Sequence, residues 1–225
     1  MGNMKKKIFI TGCAKTGTTL LLRMCFAFQD CEVIYNEGYN GHEISLEEFI
    51  KYSTSKEFLI GKRLPPCIFS NVYQEDFLLQ RENIIKNNIG IINVVRDGRD
   101  VVVSDGGYVK PQRWISSMEQ RETFQELIDL DFITRPDDVQ NKIIRTYGLE
   151  KKHDFSSYPK YVEDWIYDWN VSVQGRKGLK TSTNYGKRKL EISRKQKTNA
   201  YKEMCSSVEQ VEVFDNYLRE FLNEK

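Results

Sequence analysis

Short apolar runs alternate with amphipathic stretches along the first hundred residues of the chain. Four of the runs predict β-strands, and the clearest is 89–95, because a nearly unbroken apolar run indicates burial on both faces of a sheet. The other three predicted strands are 7–10, 32–35 and 58–60. Residues 17–28 and 46–52 have the apolar spacing of helices, and Ser45 and Glu48 form a capping box at the start of the second. This alternation predicts an α/β domain with a central, mostly parallel sheet flanked by helices.

The pattern changes after Asp100, where the apolar spacing becomes helical. We predict a helical C-terminal part, with helices at 101–108, 114–129, 137–147, 158–170 and 208–222. No internal repeat and no linker-like stretch interrupts the chain. With 225 residues, of which 40% are hydrophobic, the chain is long enough to bury a core, and we predict a single domain over residues 1–225.

Charge changes this picture in one segment only. Lys and Arg number 34 against 32 Asp and Glu, which is a net charge of +2, and we expect no nucleic-acid partner. Between Arg176 and Lys197, however, nine residues are basic and one, Glu191, is acidic. This basic stretch is either a solvated loop or an anion-binding edge beside a nucleotide or an acidic acceptor.

The cysteines and the lengths of the apolar runs bear on where the protein works. The five cysteines are an odd number and no pair has the spacing of metal ligands, so we predict thiols in a reducing compartment and no metal site. The apolar run at 8–10 is too short for the core of a signal peptide or for a membrane span. We therefore predict a cytoplasmic protein without a membrane span.

The strongest feature is the segment I-F-I-T-G-C-A-K-T-G-T-T at 8–19, in which a strand runs into a glycine-bearing loop that opens a helix. Such a loop points several backbone N–H groups at one spot, beside the positive end of the helix. Lys15 adds a full positive charge, and Thr18 and Thr19 add hydroxyl donors. The segment therefore predicts a seat for a phosphate or sulfate group.

The position of the lysine distinguishes this loop from that of the nucleoside-triphosphate enzymes. Their motif, G-x-x-x-x-G-K-[ST], has Lys directly after the second Gly, whereas here Thr18 follows Gly17 and the lysine is Lys15. The sequence A-K-T-G-T-T resembles the K-S-G-T-T loop of sulfotransferases, which holds the 5′-phosphosulfate of 3′-phosphoadenosine 5′-phosphosulfate (PAPS). The resemblance implies a P-loop-like sulfotransferase fold, PAPS as the cofactor, and sulfuryl transfer to a hydroxyl or amine of an acceptor. It also implies that the cofactor is bound by Lys15, Thr16, Gly17, Thr18 and Thr19, with Lys15 acting in catalysis as well.

A second segment reads V-V-R-D-G-R-D-V-V-V-S and places a buried strand before Arg96 and a helix after it, with Asp97 as the cap. Ligands of open α/β sheets gather at the carboxyl ends of strands, where both Arg96 and the loop around Lys15 are expected. The segment resembles the V-R-D-x-R-D-x-x-x-S motif of sulfotransferases. This implies that Arg96 and Ser104 hold the 3′-phosphate of PAPS, while Arg99 pairs with an acid.

The resemblance is weaker after Ser104. The segment Y-V-E-D-W at 161–165 is similar in part to a Tyr-Glu-Asp-Leu-like segment of the family, and R-K-G at 176–178 is similar to a glycine-basic segment that closes over the 3′-phosphate. Acceptor pockets in the family come from this helical part. The acceptor therefore stays open among carbohydrates, lipids, peptides and small molecules such as phenols.

Sulfuryl transfer also needs a general base for the acceptor's proton. Glu37 follows the second predicted strand, and a resemblance to tyrosylprotein and some bacterial glycolipid sulfotransferases makes it the first candidate. His42, in the same loop, is the second, because histidine titrates near neutrality. The segment G-K-R-L-P at 61–65 resembles the K-T-H-L-P segment of cytosolic sulfotransferases, but Arg63 replaces the histidine and stays protonated. By the same resemblance, Lys62 lies near the reacting group and stabilises the leaving group.

Two other functions compete with this interpretation. A P-loop nucleotide or small-molecule kinase would need a lysine after Gly17 and an acidic Mg²⁺ ligand at the end of a strand. Thr18 does not meet the first requirement, and Asp97 could meet the second. A non-catalytic domain that binds nucleotides or polyanions would use the basic stretch as its contact surface.

Overall fold

Parallel strands form the central sheet of the protein. The computed structural model describes residues 6–34, 44–62, 82–103, 109–119, 126–129, 135–157 and 200–223. The strands in this part of the chain are β1 (Lys7–Thr11), β2 (Cys31–Val33), β3 (Phe58–Lys62), β4 (Ile89–Val95) and β5 (Glu126–Asp129). Their order across the sheet is β2-β3-β1-β4-β5, and each neighbouring pair is parallel. The carboxyl ends of the strands therefore lie along one edge, and the predicted central, mostly parallel sheet is confirmed.

Helices connect and flank these strands. The α-helices with known bounds are α1 (Thr18–Met24), α2 (Leu46–Lys51), α3 (Gly98–Val102), α4 (Pro111–Glu119), α5 (Pro136–Tyr147), α6 (Ala200–Glu203) and α7 (Val208–Asn223), and residues 82–86 are helical as well. Two short 3₁₀ turns are Cys25–Ala27 and Phe155–Ser157. The predicted helices at 137–147 and 208–222 are confirmed within a residue or two, whereas the one predicted at 158–170 lies outside the described residues.

Strand β5 corrects the sequence analysis, which predicted a helix over 114–129. The helix α4 ends at Glu119, and residues 126–129 form a strand beside β4. Its register pairs Ile92 with Glu126 and Val95 with Asp129. With acidic residues at both ends, this four-residue strand shows no alternating pattern of its own. The conformation follows from pairing with β4, which the local sequence does not encode.

The two faces of the sheet are covered by different helices. On one face, Ile10 of β1 is fully buried in a cluster with Leu21 of α1 and Ile143 of α5. On the other face, Phe9 packs against Phe49 of α2, with 5.1 Å between the ring centroids. Neighbouring residues of one strand therefore enter opposite halves of the core, as the alternation of a strand requires.

Both ends of α2 are held in place. Ser45 and Glu48 form the predicted capping box, in which the Ser45 hydroxyl accepts from the Glu48 N–H at 3.1 Å and the Ser45 N–H donates to the Glu48 carboxylate at 3.1 Å. At the other end, Lys7 of β1 places its ammonium on three carbonyl oxygens, where positive charge complements the helix dipole. They belong to Phe49, Ile50 and Tyr52, at 3.2, 2.6 and 3.1 Å. The helix is thus fixed to β1, and the Ile44 N–H just before it donates to the Lys62 carbonyl oxygen at the end of β3.

The helix α5 approaches the sheet closely over Gly90 of β4. A Cβ atom at Gly90 would lie 2.3 Å from the ring of Tyr147. The hydroxyl of Tyr147 donates to the carbonyl oxygen of Ile91 at 3.1 Å, so the ring is fixed over the strand. The glycine is therefore required for the contact between α5 and the sheet.

We predict that Gly90→Ala lowers the free energy of unfolding by about 1–3 kcal/mol, the usual cost of overpacking a core. Urea denaturation of the purified protein measures this change. Asn141→Ala, an exposed position in α5, is the control and is expected to change stability by less than about 0.5 kcal/mol. If the two variants are equally stable, the contact between Tyr147 and Gly90 is not tight.

Candidate active site

Three basic residues come to the carboxyl edge of the sheet from its three central strands. Lys62 is the last residue of β3, Lys15 lies in the loop after β1, and Arg96 directly follows β4. Strands β3 and β4 flank β1, and Ile10 of β1 is paired with Lys62. The topology therefore gathers positive charge at one edge from segments that are far apart in the sequence.

The loop from Gly12 to Gly17 has a backbone that depends on its glycines. The φ angles of Gly12, Lys15 and Gly17 are 145°, 71° and 106°, values that L side chains rarely adopt. Gly12 also has no room for a side chain, because a Cβ atom would lie 2.4 Å from the carbonyl oxygen of Val94 in β4. Lys15 adopts a left-handed conformation without the freedom of glycine, a feature that concentrates at functional sites.

Hydrogen bonds within the loop use both donors of Thr16. Its hydroxyl donates to the carbonyl oxygen of Cys13 at 2.8 Å, and its N–H donates to the same oxygen at 3.2 Å. From 12 to 19, every residue is buried except Lys15 and Thr19, which are half-buried. Thr16 thus shapes the loop, and its predicted contact with the cofactor stays a prediction. The loop is a closed turn from which Lys15 and Thr19 are the residues most open to a ligand.

Arg96 contacts this loop directly. Only 6% of the residue is exposed. Its Nη1 donates to the carbonyl oxygen of Lys15 at 3.1 Å, and its Nη2 lies 3.5 Å from Oδ2 of Asp100. Its Nε is buried and has no hydrogen-bond partner among the described residues. Burial lowers the pKa of Arg96, and the neighbouring Asp100 carboxylate opposes that shift. The structure thus brings together the two segments that the sequence predicts to bind the two ends of one nucleotide.

Trp114 of α4 holds the backbone of Arg96. Its indole N–H donates to the carbonyl oxygen of Arg96 at 3.1 Å, and the residue is 1% exposed. The ring packs on Phe214 of α7, with 4.4 Å between the ring centroids, and a Cβ atom at Gly98 would lie 2.5 Å from the indole. The sequence analysis did not single out Trp114. The sequence signal that could have identified this contact is that the indole N–H of a buried tryptophan needs a hydrogen-bond acceptor.

Asp97 and Arg99 have the roles that the sequence predicts. The Asp97 carboxylate accepts the Arg99 N–H at 3.0 Å and so caps α3. The Arg99 guanidinium forks onto the same carboxylate, with distances of 2.9 and 2.6 Å. The hydrogen bond to Asp97 raises the pKa of Arg99. These contacts order the start of α3.

Lys62 is almost fully buried, with 1% of its surface exposed, at the end of β3. Its carbonyl oxygen accepts the Ile44 N–H at 3.0 Å, and the carbonyl oxygen of Ile60 accepts the Ile34 N–H at 2.8 Å. Ile34 and Ile44, the described residues that flank 35–43, are therefore both hydrogen-bonded to the end of β3. Glu37 and His42 belong to this segment, and both lie outside the described residues. Ser104, Arg63, 161–165 and the basic stretch also lie outside them.

Asn93 is a buried polar residue that the sequence analysis did not consider. It is 0% exposed in β4, opposite Thr11 of β1. Neither its amide nitrogen nor its amide oxygen has a hydrogen-bond partner in the described part of the chain. The sequence could have identified Asn93, because it is a polar residue in an otherwise apolar strand.

Comparison with known proteins identifies the family. The sequence model of the sulfotransferase domain matches residues 5–172, which is more than half of the chain. The chain therefore belongs to the sulfotransferase domain family. The sequence-based predictions of this family and of sulfuryl transfer as its reaction are confirmed. No curated protein matches the chain at a significant level.

Solved structures resemble the protein at low sequence identity. The structure of mouse sulfotransferase SULT7A1 complexed with PAP matches with a TM-score of 0.52 and 15% identity, covering 98% of this chain and 85% of the mouse chain. Two structures of retinol dehydratase match with a TM-score of 0.42 and 12% identity, one with androsterone and inactive cofactor PAP and one with retinol and PAP. They cover 98% of this chain and 81% and 82% of theirs. The structural similarity to the mouse enzyme confirms the predicted α/β sulfotransferase fold.

Two further findings concern membranes and metals. In the described residues, no helix is both long and apolar enough to cross a bilayer. In the same residues, no three or more His, Cys, Asp and Glu side chains are grouped as a metal site would require.

We predict that Asp97→Ala lowers stability by about 1–2 kcal/mol, because α3 loses its cap. Asp97→Asn is expected to cost less, since asparagine caps a helix as well as aspartate does and only the ion pair with Arg99 is weakened. Thermal unfolding of the two variants and the parent protein measures the difference. Equal losses in both variants would show that the cap contributes nothing beyond the charge.

Proposed function

We propose that the protein transfers a sulfuryl group from PAPS to a hydroxyl or amine of an acceptor. The observation that carries this proposal is the 3.1 Å hydrogen bond between Arg96 and the Lys15 carbonyl, which joins a phosphosulfate-type loop to a monophosphate-type anchor. Membership of the sulfotransferase family supports the reaction. The PAP in the mouse sulfotransferase supports the cofactor, because PAP is what remains of PAPS after transfer.

The residues at this edge fit a doubly phosphorylated nucleotide. Lys15, Gly17, Thr18 and Thr19 hold the 5′-phosphosulfate end in the proposal, and the glycine at 12 supports this role because only a residue without Cβ allows so close an approach to β4. Arg96 is proposed to hold the 3′-phosphate, with Ser104, which follows α3 by two residues. A guanidinium suits a phosphate because it donates in a planar fork.

Cations beside the reacting atoms supply the electrostatic part of catalysis. Bound PAPS contributes the sulfuryl group, and the bond from sulfur to the 5′-phosphate oxygen breaks as the acceptor bonds to sulfur. We propose that Lys15 and Lys62 stabilise the negative charge that develops on the leaving oxygen. The burial of Lys62 supports this role, because a charge acts more strongly where water is excluded.

The proton of the acceptor must pass to a base, and we propose Glu37 first and His42 second. The described ends of their segment support both. Ile34 and Ile44, the described residues on either side of the segment, donate hydrogen bonds to the carbonyl oxygens of Ile60 and Lys62 at the end of β3.

The kinase alternative is disfavoured by what stands at the ends of the central strands. A phosphoryl transferase of this type needs a carboxylate there for Mg²⁺. Here the strands on either side of β1 lead into Lys62 and Arg96. Asp97, which could have met that need, caps α3 and binds Arg99.

The setting of the enzyme is also part of the proposal. We infer a cytoplasmic protein, supported by the cysteines of the described part, which are thiols and not disulfides: Cys13, Cys25, Cys31 and Cys205. The basic stretch is proposed to lie near the 3′-phosphate. Tyr201, four residues after Lys197, supports this because its helix α6 packs against α3.

We predict that PAP stabilises the protein and that ATP with Mg²⁺ or a polyanion does not. At a hundredfold excess over its Kd, PAP should raise the unfolding temperature by about 5–10 °C. Lys15→Ala should weaken PAP binding by about thirtyfold or more, because a charged contact to phosphate is lost. Thermal shift and isothermal titration measure both effects.

The matched control for this variant is Lys6→Ala, which lies just before β1, whereas Lys15 lies in the loop after it. Lys6 is exposed and pairs with Glu57 at 3.2 Å, away from the carboxyl edge. The Lys6→Ala variant should bind PAP with the same affinity as the parent protein. Preference for ATP with Mg²⁺, or equal PAP affinity of both lysine variants, would contradict the proposed site.

We predict that Glu37→Gln keeps PAP affinity and lowers turnover of PAPS by about 10²–10⁴-fold, the usual contribution of a general base. Turnover is measured as PAP release in the presence of phenol, carbohydrate, lipid and peptide acceptors. Glu47→Gln, in an exposed ion pair with Lys51, is the control and should leave turnover unchanged. If Glu37→Gln stays active and His42→Ala does not, His42 is the base.

A further inference from the structure

The left-handed backbone at Lys15 needs a partner that holds it. The residue has a φ of 71°, and it stands between glycines that supply the other unusual angles of the loop. Its carbonyl oxygen accepts a hydrogen bond from Nη1 of Arg96, at 3.1 Å. That carbonyl is a backbone group, so the bond restrains the path of the chain and not the ammonium of the lysine.

Arg96 is itself held at both ends. Its carbonyl oxygen accepts the Trp114 indole N–H at 3.1 Å, and its Nη2 lies 3.5 Å from the Asp100 carboxylate. With 6% of the residue exposed, few other positions are open to the guanidinium. A donor fixed in this way can fix the group that accepts from it.

We propose that Arg96 is a positioning residue for the Lys15 loop, which it holds in the conformation that receives the 5′-phosphosulfate. This role rests on the proposed function and adds to the contact with the 3′-phosphate. Each nitrogen Nη carries two hydrogens, so the bond to Lys15 leaves donors for a phosphate. One side chain therefore acts at both ends of the nucleotide, and the two binding events are coupled through it.

The role can be separated from the 3′-phosphate contact by the choice of ligand. PAPS and adenosine 5′-phosphosulfate differ in the 3′-phosphate alone. If Arg96 served the 3′-phosphate only, its loss would leave the affinity for adenosine 5′-phosphosulfate unchanged. If it also positions the loop, that affinity falls, although the ligand has no group for Arg96 to bind.

Charge must be separated from position as well, because losing any cation weakens the binding of an anion. Arg99 is the matched control, since it is a second arginine three residues after Arg96 and its guanidinium binds Asp97. A second variant, Arg96→Met with Asp100→Asn, removes one charge of each sign and leaves no buried carboxylate unpaired. It preserves the net charge and protects the test against an Arg96→Ala protein that does not fold.

Isothermal titration with both ligands at the same ionic strength tests the proposal. We expect Arg96→Ala and the double variant to weaken binding of adenosine 5′-phosphosulfate about tenfold, the effect of one lost hydrogen bond. Arg99→Ala should change it less than about threefold, because the Arg99 guanidinium is paired with Asp97. Binding of PAPS should fall about a hundredfold or more in the Arg96 variants, since the phosphate contact is lost too. Thermal unfolding without ligand identifies which variants are folded.

The outcomes separate this inference from the function on which it rests. If the parent protein binds PAPS and the folded double variant binds adenosine 5′-phosphosulfate within twofold of the parent, the positioning role is wrong and the proposed function stands. The positioning role is also wrong if Arg99→Ala loses as much affinity for adenosine 5′-phosphosulfate as Arg96→Ala does. It is wrong as well if the parent binds PAPS but not adenosine 5′-phosphosulfate. If the parent binds neither ligand, the proposed function itself fails.

Discussion

The hydrogen bond from the Arg96 guanidinium to the Lys15 carbonyl joins two segments that are 81 residues apart in the chain. Other features at this edge of the sheet support it. Strands β1 and β4 are paired from Lys7 to Thr11, so the turn after β1 starts beside Asn93, two residues before β4 ends. Gly12 lets the first turn pass over the end of β4, where any side chain would meet the Val94 carbonyl. The contact is therefore a consequence of parallel pairing and one missing Cβ atom.

Three cations at one edge repel each other, and the structure offsets this in two ways. Asp97 and Asp100 supply negative charge around Arg96 and Arg99, so the second anchor is close to neutral before any ligand binds. Burial raises the pKa of Asp100, while Arg96 acts in the opposite direction. Lys62 instead lies on the other side of β1, with β1 between β3 and β4. The remaining positive charge, on Lys15 and Lys62, favours an anionic ligand at this edge.

The hydrophobic core behind the site fixes its shape. Phe214 of α7 stacks on Trp114 and on Tyr201, with centroid distances of 4.4 and 4.8 Å. This aromatic cluster covers the start of α3 and brings the end of the chain to the proposed 3′-phosphate anchor. Helix α7 has no candidate site residue of its own. Its contribution is to hold Trp114, which in turn holds the backbone at Arg96.

The sequence by itself determined the elements whose signals are local. The apolar run of β4, the glycine loop after β1, the cap at Asp97 and the box at Ser45 can each be identified within a few residues, because periodicity, left-handed turns and caps depend on near neighbours. The motifs around Lys15 and Arg96 also indicated the family. Tertiary structure alone decided that β5 is a strand, that Trp114 supports Arg96, and that Arg96 reaches the Lys15 carbonyl. These depend on pairing and packing between distant segments, and no local pattern of residues encodes which distant group will complete a hydrogen bond or a sheet.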